Sequence, residues 1–289
     1  MSAVASAQPV SAQRGDSAAA LARRMFGADL LKLRKKRSTL IWALVIGLAP
    51  IVIMFAVKAI EHAVEPLSFS AGHVKGYGPA GGMDSFHMGL RLLGGLFFGP
   101  LVAILIGVEA GTGDASAGVF RDLVVTGRSR LALFASRVPA AIALTWLVIV
   151  VGYLLILLGT FVFAGNLATP DGTLILNTLG YLLLSSGVLC AVAVGFASLT
   201  TSKPASIIAL IAWQIIATPI IVSISSLGGA RDFALGAALA NLAPMSVGGG
   251  GRGHDSELVI AAGTAVAVIA LWLVVFLGLG AWRTQQMDA

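Results

Sequence analysis

The chain has 289 residues, of which 57% are hydrophobic and 11% are charged, and its formal net charge is +6. Soluble domains carry about 25% charged residues, so this composition excludes a chain whose whole surface faces water. The basic residues flank apolar runs and no polar domain is available to bind nucleic acid, so phospholipid head groups are their expected neighbours.

The N-terminal region divides into a polar tail and an amphipathic segment. Residues 1–20 are rich in Ala, Ser and Gln and lack the apolar core of a signal peptide, so we expect a disordered cytosolic tail. After it, an apolar arc forms on a helical wheel, interrupted by Asp29, and the segment ends in KLRKKR. The pattern predicts an interfacial helix lying along the inner leaflet, while a simple basic cluster that fixes topology is an equally good interpretation. The arc comprises Ala22, Met25, Phe26, Leu30 and Leu33.

Six apolar segments follow, and each approaches the roughly 20 residues that a helix needs to cross a bilayer. The sequence therefore predicts an all-α membrane protein in which residues 21–289 form a single domain of six transmembrane helices. The predicted spans are about Thr39–Val57, Leu92–Val108, Val138–Ala164, Leu174–Leu199, Ala205–Leu227 and Leu258–Trp282.

The distribution of Lys and Arg predicts the orientation of these spans. Fourteen of the 19 basic residues fall on the side that carries both termini, and five fall on the opposite side. Because cytoplasmic loops carry the excess of basic residues, both termini are expected in the cytoplasm. The expected location is the plasma membrane of a bacterial cell, with several membrane passes.

The segment Glu109–Arg137 between the second and third spans holds seven charged residues in 29 positions. Asp114 is a candidate N-cap, and Phe120, Leu123 and Val124 share one helical face. The pattern predicts a short amphipathic cytosolic helix that a soluble partner can bind. An ordinary cytoplasmic loop is the alternative interpretation.

Polar residues and glycines inside the spans offer further candidates. In the fifth span, Gln214, Thr218 and Pro219 could line a translocation path, since Pro frees a backbone carbonyl, although helix packing is the favoured role of Pro219. Gly95 and Gly99, in GLFFG, would let two helix backbones approach closely within one subunit.

The sequence shows no enzyme active site. The glycine run GGGGRGHDSE, residues 248–257, lacks the Gly-Lys-Ser/Thr of a phosphate loop, and the four histidines lack the spacing of a helical metal site. Lys58, Arg91 and Glu109 are predicted at span ends, so the spans contain no ionisable group of the kind that couples ion gradients to transport. We therefore expect neither catalysis nor a bound cofactor or metal, and any energy source must lie outside the chain.

The stretch GVFRDLVVTGRSRLALFASR resembles the cytoplasmic loop of ABC-2-type permeases, the membrane subunits of one class of ABC transporters. That loop has an acidic residue, then Gly-Thr, a short helix with paired Leu, and Thr-Pro-x-Ser-Arg. Asp114 or Glu109 matches the acid, Gly118 and Val119 the Gly-Thr, and Leu123 with Val124 the paired Leu. Residues 126–130, TGRSR, match the last motif with Gly127 in place of Pro.

The resemblance implies a permease that works as a dimer, with an identical or paralogous second copy and a separately encoded P-loop ATPase that binds the ATP. It also implies short helices between the fifth and sixth spans, with Phe233, Leu235, Leu239 and Leu242 in the outer leaflet; a plain hydrophobic loop is the alternative. Export is usual in the family, and the uncharged spans favour an amphipathic cargo such as a lipid, drug, peptide or antibiotic. The implied ATPase-coupling residues are Asp114, Gly118, Phe120, Arg121, Asp122, Leu123, Arg128 and Arg130.

Two other functions remain open from sequence alone. One is a membrane protein without transport activity, acting as an assembly or regulatory subunit. The other is a secondary carrier that works without an ATPase. A gene for a P-loop ATPase beside this one would favour the ABC transporter over both.

Overall fold

The computed structural model describes residues 18–70, 73–95, 97–116, 129–244 and 260–286. Within them, six helical segments are long and apolar enough to cross a membrane, so the expected multi-pass helical architecture is confirmed. Span one is α2 (Arg37–Val64), span two is α3 (Gly82–Gly94) with α4 (Phe98–Ser116), span three is α5 (Arg130–Val162) and span four is α6 (Gly172–Thr200). Span five runs from α7 (Lys203–Ala212) through a π-helical turn (Trp213–Ala217) to α8 (Thr218–Ser223), and span six is α10 (Ala262–Gln286).

The contacts between span ends define two sides of the bundle. The Arg130 Nη1 atom, at the start of span three, donates to the Gln285 carbonyl near the end of span six at 2.8 Å. The end of span two likewise meets the starts of spans one and five. We call this the terminal side, because the described chain ends lie here, and the opposite side the far side.

The predicted N-terminal helix is present as α1 (Ala18–Lys35). The helix begins at Ala18, so residues 18–20, which were predicted to belong to the disordered tail, are helical. Met25 and Leu33 are buried, and α1 packs against α5, so its apolar face covers protein. Asp29, which interrupts the apolar arc, is also buried: its carboxylate accepts a 2.5 Å hydrogen bond from the Ser136 hydroxyl of α5.

Span two departs from the sequence prediction because it is longer and broken. The prediction placed one helix at Leu92–Val108, with Arg91 at its end, whereas the helix already begins at Gly82 and is interrupted between Gly94 and Phe98. A Cβ atom at Gly99 would lie 1.8 Å from the Leu93 carbonyl oxygen. Gly99 is therefore required where α3 and α4 meet within span two, whereas the nearest atom of another span, Ile149 Cδ1, would lie at an ordinary contact distance of 3.6 Å.

The closest contacts between spans two and four are made at two other glycines. A Cβ atom at Gly107 would lie 2.6 Å from the Cys190 carbonyl oxygen, and one at Gly111 would lie 2.7 Å from the Val194 carbonyl oxygen. Small residues allow helix backbones in a membrane to approach and gain van der Waals contact. Span four is the most enclosed candidate span, and this packing places it at the centre of the bundle.

The far side carries short elements that the all-α prediction only partly anticipated. Strands β1 (Ser68–Ser70) and β2 (His73–Lys75) form an antiparallel hairpin after span one. After span five come a 3₁₀-helix (Ser225–Phe233) and α9 (Leu235–Asn241), in agreement with the expected short helices; residues 245–259 of this loop lie outside the described part.

The apolar residues of these short helices have two different environments. Leu235 and Leu239 are buried in the protein core, so their predicted place in the lipid is wrong, while Phe233 is exposed. The Asn241 side chain bonds both the N–H and the carbonyl of Ile260. The α9 helix is thereby fixed to the beginning of span six.

Candidate functional site: a buried charge cluster at the terminal side

The predicted coupling segment lies mostly outside the described residues. Asp114 belongs to the last turn of α4, so it is not the N-cap of a following helix. Arg130 begins α5, where Ser129 is the N-cap and accepts from the Ala132 N–H at 3.2 Å. The remaining predicted residues are outside the described part: Gly118, Phe120, Arg121, Asp122, Leu123 and Arg128.

A buried carboxylate lies two turns before the end of α4. The Glu109 side chain is only 3% exposed. One of its oxygens accepts a hydrogen bond from the Lys36 ammonium. The other accepts from the Lys203 ammonium at 2.5 Å and from the Thr39 hydroxyl at 3.0 Å. We call Lys36, Thr39, Glu109 and Lys203 the Glu109 cluster.

Local structure explains how these four residues meet. Lys36 is the single residue between α1 and α2, and Thr39 lies in the first turn of α2. Thr201 adopts a left-handed conformation with φ of 54°, which ends span four and lets the chain reverse within two residues. Pro204 follows Lys203 in the first turn of α7, where its missing N–H costs no helical bond.

The charges of the cluster hold helices together. A buried carboxylate is stable only when charged or polar partners replace its water, and here the partners come from spans one and five. The two lysines keep 44% and 42% of their side-chain surface exposed, so the cluster faces the aqueous boundary on one side. It connects three span ends.

Sequence analysis placed Glu109 at a span end but did not identify the partners of its carboxylate, which lie at the starts of spans one and five. The usable signal was an acid near the end of a long apolar helix, together with a lysine just before span one and another at the start of span five.

Two of the three candidate path residues of span five face the protein. Gln214 and Thr218 are buried, and a Cβ atom at Gly236 of α9 would lie 2.6 Å from Thr218 Cγ2. The Thr218 hydroxyl donates to the Trp213 carbonyl at 3.0 Å, while Pro219 stands in the first turn of α8. The π-helical turn thus accommodates the proline, which agrees with a packing role and leaves the path a prediction.

Two further observations bear on the site. In the described residues, no group of three or more His, Cys, Asp or Glu side chains is placed to hold a metal ion. Compared with known proteins, the sequence matches no family model, and no curated protein is significantly similar to it.

Proposed function

We propose that this chain is the membrane-spanning permease subunit of an ATP-driven ABC transporter of the ABC-2 type, exporting an amphipathic substrate. In this proposal the terminal side faces the cytoplasm, as the distribution of basic residues indicates. The support is the six-span architecture together with the motif resemblance around residues 114–130.

The observation that carries the proposal is the Glu109 cluster. Glu109 lies in the same helix as Asp114, seven residues before the helix end at Ser116, and the proposed coupling segment follows directly. A force on that segment would act on Glu109, and through its lysines on the starts of spans one and five. Packed helices respond to such forces by shifting between discrete arrangements, and alternating access requires a shift of this kind.

The proposal implies specific partners. A separately encoded P-loop ATPase binds ATP and presses on the cytosolic face, and a second permease copy or a paralogue completes the assembly. The chain itself binds neither ATP nor nucleic acid. It spans the plasma membrane and contacts membrane lipids on its outer surface.

One observation favours a second candidate, a secondary carrier. Glu109 is an ionisable residue buried within a span, and such residues serve as coupling elements in ion-driven carriers. Glu109 lies close to the terminal end of its helix and is surrounded by three donors. That placement suits a fixed connection between helices better than a site that loads and releases ions.

The test is reconstitution in lipid vesicles. The chain is prepared alone and with each P-loop ATPase encoded beside it, and export of a fluorescent amphipathic dye is followed under ATP or under a proton gradient. We expect ATP-dependent transport only with one ATPase present, and no ATP hydrolysis by the chain alone. Gradient-driven transport without an ATPase would establish the carrier, and hydrolysis by the chain alone would exclude the permease.

A further inference from the structure

A groove of about 690 Å³ opens on the far half of the bundle between spans one and two. Ile53 and Val57 of α2 form one wall, Met88 and Leu92 of α3 form the other, and Phe98 of α4 lines the deep end beside the break in span two. Its volume is within the roughly 300–1,000 Å³ typical of ligand pockets. The groove can accommodate an extended apolar chain.

Two opposite charges line the same groove. The Lys58 ammonium donates to the hydroxyl of Ser85, which is fully buried, at 2.8 Å. An ammonium has three donors, so two remain for a ligand. The Glu61 carboxylate, one turn further along α2, has no hydrogen-bond or ion-pair partner among the described residues. The groove therefore presents a cation and an anion side by side.

The position of these charges along the helix matches a membrane interface. Lys58 is 21 residues beyond Arg37, which is about 32 Å of helix, and a bilayer core is about 30 Å thick. Arg37, at the terminal end, and Lys58, at the far end, thus lie near opposite boundaries of the hydrocarbon. Lys58 and Glu61 stand at head-group level on the far side.

The deep end of the groove coincides with the break in span two. Gly95 lies ten residues after Ser85, or about 15 Å along the axis, which is roughly the middle of the bilayer. Non-helical backbone at that depth is tolerated where protein buries it or where it lines a cavity. The groove therefore extends from mid-membrane, beside Phe98, to the interface at Lys58.

We propose that this groove binds one zwitterionic phospholipid from the far leaflet. An acyl chain lies along Ile53, Met88 and Phe98, the phosphate pairs with Lys58, and the ammonium of the head group pairs with Glu61. The argument is charge complementarity: a phosphate and an amine, joined by a short linker, match a cation that keeps two free donors and an unpartnered anion one helical turn apart. This site is independent of the proposed transport function and does not require an ATPase.

The test uses the purified full chain in nanodiscs that contain a phosphatidylethanolamine with a photoreactive diazirine on its acyl chain. Mass spectrometry of the illuminated protein locates and quantifies the label. We expect labelling of groove residues to fall about tenfold in Lys58→Met, the loss expected for one charge-assisted hydrogen bond, and to persist in Lys58→Arg. Ile53→Trp, which fills the groove, should abolish it. Val52→Trp is the matched control, because Val52 is the neighbouring exposed residue on α2 but does not line the groove.

The head group is tested with a phosphatidylglycerol probe that has the same acyl chains and no amine. We expect weaker labelling by this probe than by phosphatidylethanolamine in the wild type, and equal labelling by the two probes in Glu61→Gln. The proposal is overturned if the two probes label the wild type equally, or if Ile53→Trp and Val52→Trp are labelled alike. It is also overturned if Ile53→Cys cross-links two copies while the probe is excluded, since the groove is then a subunit interface.

Discussion

Lys203, at the start of span five, donates a 2.5 Å hydrogen bond to the carboxylate of Glu109 in span two, 94 residues earlier in the chain. Lys36 makes the same kind of contact from the start of span one. One carboxylate therefore holds two cations from two different helices. Each lysine can therefore substitute for the other, and mutation can reveal this redundancy.

The first prediction concerns this redundancy. Lys36→Met or Lys203→Met alone should have a small effect, because the other lysine and Thr39 still satisfy the carboxylate, and half-exposed ion pairs contribute about 0–1 kcal/mol. The double replacement leaves a buried charge without a cation, which costs about 3–5 kcal/mol. Adding Glu109→Gln to the double variant removes that charge and should recover most of the lost stability. Thermal unfolding of the purified protein in detergent measures all four variants.

The decisive result is the order of the variants by thermal stability. If the double lysine variant is as stable as either single variant, Glu109 is not effectively buried and the cluster does not join the spans. If the triple variant is less stable than the double, the carboxylate has a further partner that matters more than the lysines. Expression and membrane insertion are compared first, so that differences in yield do not affect the measurement.

The second prediction concerns the contact between spans two and four. Gly111→Ala places a methyl group 2.7 Å from the Val194 carbonyl oxygen and 2.7 Å from the Ala197 Cβ, and overpacking of this kind costs about 1–3 kcal/mol. Gly180→Ala in span four is the control, because a Cβ there has no neighbour within 4 Å. It should be neutral or stabilising, since alanine favours a helix by about 1 kcal/mol. Equal unfolding temperatures for the two variants would contradict the packing.

Hydropathy was sufficient to locate the spans, because an apolar run of 20 residues is a local signal. The break after Gly94 was not predictable in the same way: residues 92–108 remain apolar throughout, and hydropathy does not register a change of backbone direction. Asp29 was noticed as an exception on its helix, but its partner, Ser136, is 107 residues away. Glu109 likewise has all its partners in distant segments. Pairings of this kind depend on tertiary packing and leave little trace in a local pattern.

The third prediction concerns orientation. The side with fourteen of the 19 Lys and Arg residues should face the cytoplasm. A cysteine at Gly172, on the far side, should react with an impermeant thiol reagent in intact cells, and one at Ser116 only after permeabilisation. The native Cys190 is fully buried and should give little background. Labelling of Ser116→Cys in intact cells would reverse the proposed orientation.

The fourth prediction concerns the proposed coupling segment and its partner ATPase. Phe120 and Leu123 are the expected anchors, because buried aromatic and aliphatic side chains carry most of the binding energy in compact interfaces. Phe120→Ala should leave membrane insertion intact and weaken retention of the ATPase, or uncouple ATP hydrolysis from transport. Arg121→Ala, at the neighbouring position, is the control and should have a smaller effect, because exposed ion pairs contribute about 0–1 kcal/mol.

Coupling also predicts that the segment and the Glu109 cluster act in series. Phe120→Ala should weaken binding of the ATPase, so that less force reaches the permease. The triple variant of Lys36, Glu109 and Lys203 should still bind the ATPase but transport less substrate for each ATP hydrolysed. Pull-down of the ATPase at matched permease levels, with transport and hydrolysis measured on the same vesicles, separates the two effects. If Phe120→Ala and Leu123→Ala both keep full binding and full transport, the segment is an ordinary loop and the ATPase contacts the permease elsewhere. If the triple variant transports normally, the cluster stabilises the bundle without transmitting the force.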